Sequence, residues 1–306
     1  MVRLFLGVTH RPWFTFLATQ APEEVNFWQP SGSGIFRALQ PGDLFLFKLK
    51  GTDRIAGGGV FGHASLAPLS LVWEAFGQRN GVPSLADMRR TIALLRHAQE
   101  PLAEREDPVV GCRILLEPFF WPQELWLPAP SSFSANTVVG KGYSTAEAEG
   151  LYLWHAVQER FAVWPIAIEP EAGARYGAPV PMRRRLGQGA FRLAVTDGYG
   201  RRCAVSGEKT LPILDAAHIR TFASGGAHDV SNGLLMRTDI HKLFDLGYVT
   251  VTERGRFAVS ARLRKDFDNG VHYYAMQDCE IAAPLRGYAP PAPELLRWHQ
   301  ENRYLG

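Results

Sequence analysis

His218, Asn232 and His241 stand in that order with thirteen and eight residues between them, and an aspartate flanks each end of the set, Asp215 and Asp245. Imidazole is the side chain whose proton affinity lies nearest neutral pH, so a histidine can serve as a general base or, when neutral, as a metal ligand. Carboxylates are hard oxygen donors for divalent cations. Asp245 lies four residues beyond His241, so on a helix the two share one face and could grip the same ion. Hydrolysis of a phosphodiester calls for these parts: a base that deprotonates water, and a cation that stabilises charge on phosphorus and on the leaving oxygen.

Such groups work only if a frame holds them. Leu211 to Ile219 has the apolar density of a buried strand, and a Ser/Gly/Asn-rich loop follows it. A second apolar run covers Gly233 to Met236, and a short amphipathic helix is predicted from about Thr238. The order is therefore strand, loop, strand, helix.

This order and spacing resemble the HNH nuclease motif, whose ββα-metal finger sets a histidine on the first strand against a metal held by the helix. The resemblance implies that His218 is the general base and His241 a metal ligand. Asn232 would brace the loop that keeps His218 in register, or complete the metal site. A lone histidine in an apolar strand is an ordinary core residue, and Asn-Gly an ordinary turn. Here all three motif residues occur together with Gly225-Gly226 and a following Leu243-Phe244-Asp245-Leu246-Gly247 turn. Two features depart from the family. Many members carry an Asp or His ligand directly before the base, where this chain has Ala217, so the oxygen ligand is expected from Asp215 or Asp245. Many also carry paired CxxC knuckles, where this chain has only Cys203-Ala204-Val205-Ser206, so no structural zinc is expected. The implied cofactor is one divalent ion, with Mg²⁺, Mn²⁺ and Ni²⁺ all suited to a mixed nitrogen and oxygen site.

At 306 residues the chain can hold two domains, and 46% hydrophobic with 21% charged residues describes a globular protein. No apolar run reaches the length of a membrane span, and the start Met1-Val2-Arg3-Leu4 lacks a signal-peptide pattern. A cytoplasmic protein with no membrane partner is expected. The three scattered cysteines, Cys112, Cys203 and Cys279, fit a reducing compartment. The net charge of +3 is unevenly placed: between Pro181 and Arg220, eight cationic residues stand against three anionic ones. Within and beside the motif, Arg183, Arg184, Arg185, Arg220 and Lys242 are the expected phosphate contacts, the other reading being a solvated linker.

Residues 1 to 165 have a different texture. A strand at Val2 to Val8, a turn at Pro41-Gly42-Asp43, a strongly apolar strand from Leu44 to Leu49 and a glycine-bearing strand from Ile55 to Phe61 come first, followed by helical patterns at Leu71 to Phe76 and from Leu85 to His97. The pairing of Pro41–Lys50 with Ile55–Phe61 is similar to the central hairpin of PUA-like domains of the EVE and ASCH type. That resemblance implies a curved barrel that holds a flipped, modified base in an aromatic-lined pocket, with Trp13, Asn26, Phe27 and Trp28 as candidate lining residues. The alternative is that these aromatics form the barrel core. Ser144-Thr145-Ala146-Glu147 reads as a capping box for a helix to about Phe161. Past Val251, strands are predicted at Arg256 to Leu263 and His272 to Tyr274, then a last helix at Pro293 to Asn302.

The chain is thus expected to be α+β, with a PUA/EVE-like reader at 1–165, a linker at 166–182 and an HNH endonuclease domain at 183–306. The expected activity is metal-dependent hydrolysis of double-stranded DNA to 5′-phosphate products, restricting DNA with modified cytosine. The alternatives are an HNH nuclease without modification sensing and a catalytically inert DNA-binding module. A dimer and a nicking monomer fit the sequence equally.

Overall fold

The computed structural model describes residues 1–96, 102, 105–163, 187–221 and 224–306. The chain divides into two compact units, residues 1–184 and 185–306. The expected linker, and with it Arg183, Arg184 and Arg185, lies outside the described residues. None of the described helices is long and apolar enough to cross a membrane.

The first unit is built on one mixed sheet. Its strands are β1 (Arg3–Thr9), β2 (Glu24–Asn26), β3 (Leu44–Leu49), β4 (Arg54–Pro68), β5 (Val109–Phe120), β6 (Leu127–Pro128) and β7 (Gly140–Ser144). They run in the order β2-β5-β4-β3-β1-β7, with β6 also paired to β4. Only β1 and β3 are parallel. The pairing of the long β4 with β5 shifts register between Gly58 and Val60 and again between Phe61 and His63. A Cβ on Gly57 would stand 2.1 Å from the Phe119 carbonyl oxygen and one on Gly58 2.5 Å from that of Phe45, so the glycine run permits the close strand approach that its sequence suggested.

Among the described residues a closed barrel is not found: β2 and β7, at opposite ends of the order, do not pair with each other. The short ends explain this, since β2 spans three residues and β7 five, too few to carry the ladder around. The sheet is open. Helices α1 (Arg11–Ala18), α2 (Leu69–Phe76), α3 (Leu85–Leu95) and α4 (Ala148–Val163) accompany it. The Ser144 motif does not cap α4, because Ser144 ends β7 and its carbonyl accepts from the Glu147 N–H in a turn.

The second unit contains the motif. Its elements are α5 (Gln188–Gly198), β8 (Leu214–His218), β9 (Gly233–Arg237), α6 (Thr238–Asp245), β10 (Val249–Val251), β11 (Phe257–Val259), α7 (Ala261–Phe267), α8 (Val271–Tyr274) and α9 (Pro293–Asn302). β8 and β9 form an antiparallel ribbon in which Leu214 faces Arg237 and His218 faces Gly233. The apolar runs read from sequence bury Leu214, Ala217, Ile219, Leu234, Leu235 and Met236 against Phe191 and Val195 of α5 and Ile240 and Phe244 of α6. The strand expected over Arg256 to Leu263 stops at Val259, where Ser260 accepts from the Arg262 N–H and starts α7. His272 to Tyr274 is helical rather than extended, because the Tyr273 and Tyr274 N–H groups both bond back to Gly270 O.

Candidate active site

His218 is the last residue of β8, and two neighbours hold its ring. Phe191 of α5 stacks on it at 3.8 Å with a 12° interplanar angle. Its Nε2 lies 2.9 Å from Nδ1 of His228. Burial, reinforced by the neighbouring His228 and His241, lowers its pKa to about 4. At neutral pH the ring is therefore uncharged and keeps one basic lone pair, as a general base requires.

Asn232 is 1% exposed, and its amide is spent on the backbone of the loop. Oδ1 accepts the Arg220 N–H at 2.9 Å, while Nδ2 donates to the carbonyls of Arg220 and Ala227, each at 2.8 Å. The Ile219 N–H bonds in turn to the Asn232 carbonyl. These bonds clamp the two ends of the loop across the mouth of the ribbon. They leave the Asn232 side chain committed to the loop. Gly226 allows the same closure, since a Cβ there would meet the Arg220 carbonyl at 1.9 Å.

His241 projects from α6 with a carboxylate on either side of its ring. Nδ1 is 3.5 Å from Asp215 Oδ2, and Nε2 is 3.4 Å from Asp245 Oδ2. The helical i, i+4 spacing thus brings Asp245 to His241, and the ribbon brings Asp215 to the same ring. The two nitrogens of an imidazole point in divergent directions, so one ion bound to His241 can be shared with only one of these aspartates. The other carboxylate then accepts the remaining ring N–H and orients the ligand. A mixed imidazole and carboxylate donor set suits a divalent cation. No cluster of three or more His, Cys, Asp or Glu side chains able to hold a metal forms among the described residues, so water and phosphate oxygens would have to fill the remaining positions.

An open cleft of about 250 Å³ is lined by His218, Ile219, Thr221, Asp245, His299 and Arg303. It brings the candidate base and one carboxylate partner of His241 to a single cavity. Neither His241 nor Asp215 is among its lining residues, and Asp215 lies 3.7 Å from Arg192 Nη2. Arg220 donates from Nε to the Ser224 carbonyl and lies 5.1 Å over the Trp298 ring, whereas Lys242 is exposed on α6.

His299 is the cleft histidine that is structural. Its Nε2–H donates to the Phe244 carbonyl at 3.1 Å, Nδ1 accepts the Thr250 hydroxyl at 2.9 Å, and the ring stacks on Phe244 at 3.6 Å. Burial, with Arg303 adding to it, lowers the His299 pKa to about 4. The unfolded chain protonates this ring near pH 6.5 and the folded one only near 4, so its contribution to stability is complete above pH 6.5 and is lost as pH falls toward 4. Lowering the pH from 7 to 5 should remove about 2 kcal/mol of unfolding free energy through this residue, read from urea midpoints. His299→Gln should show a flatter dependence over the same range.

In the first unit, three of the four candidate pocket residues are packed inside. Trp13 makes edge contacts with Phe27 at 5.2 Å and Phe47 at 5.3 Å, and Phe27 lies 4.7 Å from Phe45. Asn26 is fully buried and donates to Asn80 Oδ1 at 2.9 Å. These faces are taken by neighbours, because Trp13 and Phe27 belong to a buried cluster with Phe5, Phe14, Phe45, Phe47 and Phe61. Trp28 is half-buried and donates from Nε1 to the Asn80 carbonyl at 2.8 Å.

The sequence reading passed over His228, Phe191 and Arg303. A signal for the first was present, a third histidine within the glycine-rich loop of the motif. The other two come from α5 and from the residue after α9, outside the ribbon and its helix, and only the fold brings them near. No curated protein matches this chain. Residues 203–252, which carry β8, β9, α6 and β10, match the protein family described as HNH endonuclease.

Proposed function

We propose that the chain is a metal-dependent DNA endonuclease whose second unit hydrolyses phosphodiester bonds. The observation that carries this reading is the cleft that holds the uncharged His218 and Asp245 together, with His241 bridging Asp245 and Asp215. His218 takes a proton from water, and the resulting hydroxide oxygen attacks phosphorus while the bond to the 3′ oxygen breaks; its electron pair leaves with the 3′ oxygen, which takes a proton from solvent, giving 5′-phosphate and 3′-hydroxyl ends. His241 and Asp245 would hold a divalent cation, whose charge, when bound, stabilises the negative phosphate oxygens in the transition state. Asp215, anchored near Arg192, orients the His241 ring from its other nitrogen. Asn232 keeps the loop closed so that His218 stays at the ribbon end.

The proposed substrate is double-stranded DNA bearing modified cytosine, with the first unit as the reader. Support for this part comes from the likeness of the β3–β4 hairpin to PUA-like readers. With Trp13 and Phe27 packed inside, Trp28 is the remaining aromatic candidate for contact with a base. The test compares cleavage of one plasmid in plain, 5-methylcytosine and 5-hydroxymethylcytosine forms, with Mg²⁺, Mn²⁺ or Ni²⁺ and with a chelator. Metal-dependent cutting confined to modified DNA supports the whole reading. Equal cutting of all three removes the reader role and leaves the nuclease, and no cutting of any of them removes both.

A further inference from the structure

We infer that His228 is the positioning residue for His218: it accepts the Nε2–H of His218 and so leaves Nδ1 as the basic nitrogen that faces water. The direction of that bond rests on the nuclease reading, because a base needs a free lone pair, whereas the 2.9 Å contact between the two rings does not.

An imidazole that is neutral carries one N–H and one lone pair, and which nitrogen holds which is set by the partner of the other. His218 Nε2 and His228 Nδ1 are 2.9 Å apart, so one of them donates. If His228 donated, the lone pair of His218 would be occupied and its proton would sit on Nδ1, and the ring could take no proton from water. If His218 donates, Nδ1 is left with a free lone pair. Only the second arrangement serves a base, and it requires His228 to carry its own proton on Nε2. The stacked Phe191 ring fixes the plane of His218 but cannot select its tautomer, because a phenyl face makes no directed bond to either nitrogen. His228 can do so, and the Asn232 clamp holds it there, since Nδ2 of Asn232 bonds to the carbonyl of Ala227, the residue immediately before it. Asp229, the residue immediately after, is tied down as well, with Oδ1 accepting from the Ser231 N–H and hydroxyl.

In turnover the water O–H bond breaks, its proton goes to Nδ1 of His218 and its oxygen bonds to phosphorus. The Nε2–H stays on His218, and its bond to His228 strengthens as the ring becomes a cation. No proton crosses to His228; the one gained at Nδ1 returns to solvent. The role corresponds to the group that orients the histidine in a nucleophile–base–orienter relay.

The tautomer can be read directly. In the full-length chain labelled with ¹⁵N-histidine, nine histidines contribute signals, and His218→Ala identifies the one of interest. At pH 7.5 the two-bond ¹H–¹⁵N spectrum should show His218 protonated at Nε2 in the wild type. His228→Asn should keep that pattern, because the amide oxygen of asparagine reaches the place of Nδ1 as an acceptor. His228→Leu should give mixed tautomers and cut the single-turnover cleavage rate by about tenfold to a hundredfold, with the concentration of DNA at half-saturation unchanged, while His228→Asn stays within about threefold of wild type. A wild-type His218 protonated at Nδ1 overturns the inference without any variant, and so does a His228→Leu protein that keeps the wild-type tautomer and rate. Failure of the wild type to cut any DNA would count against the nuclease reading alone, since the tautomer spectrum still decides what His228 does.

Discussion

His218→Ala should lower metal-dependent cleavage by roughly 10²–10⁴-fold, the usual contribution of a positioned general base, while the protein stays folded and still binds DNA. The ring is half-buried at the end of β8 and covers one face of Phe191, so its removal leaves the β8–β9 ladder intact. A thermal melt of the variant checks this. The pH dependence carries a second expectation. With its pKa lowered to about 4, chiefly by burial, His218 is in its basic form at every pH above about 5 and loses it only as pH falls through 4. At saturating metal the rate should therefore hold level from pH 7.5 to 6, where an unperturbed histidine would already be losing activity. A folded His218→Ala protein that cuts at a near-normal rate would overturn the assignment.

Asp245→Ala should abolish cleavage and weaken Mn²⁺ binding by at least tenfold in calorimetry, and Asp215→Asn should weaken it less. The reason is the geometry of His241. Asp245 pairs with Nε2 and lines the cleft with His218, whereas Asp215 pairs with Nδ1 and lies near Arg192. An asparagine at 215 keeps an oxygen to accept from Nδ1–H, so the ligand ring stays oriented. Asp239 provides the control on the same helix: its carboxylate is engaged by Arg237 and by the Tyr273 hydroxyl, and Asp239→Ala should leave metal affinity near wild type. The reverse order, with Asp215→Asn losing the metal and Asp245→Ala keeping it, would place the ion on the Nδ1 side of His241.

What the sequence determined by itself was local. The apolar runs around His218 and after Asn232 read as two strands before a short helix, and the resemblance of that order and spacing to the HNH motif implied that His218, Asn232 and His241 share one small unit, where β8, β9 and α6 now hold them. The i, i+4 spacing likewise brought Asp245 to His241, because helical geometry is a property of the chain and not of its surroundings. The tight approach at Gly57 was also legible, since only a residue without Cβ fits there.

Other features depended on partners distant in sequence or on competition that composition does not encode. An aromatic residue is equally apolar in a core and in a pocket, so only the packing of Phe45 and Phe47 against Trp13 and Phe27 settled where those rings go. The close approach of the strands beside β4 was readable from its glycines, but whether the sheet closes was not, because closure depends on how far β2 and β7 extend and meet. Local capping at Ser260 overrode the extended pattern that follows it. The site itself shows the same division. Spacing along a chain gives the positions of histidines, whereas the nitrogen each ring turns to its neighbour is set by contacts across loops, here His228 for His218 and two opposed aspartates for His241. Those contacts decide which lone pair can take a proton and which carboxylate can share an ion, and they exist only once the tertiary structure has formed.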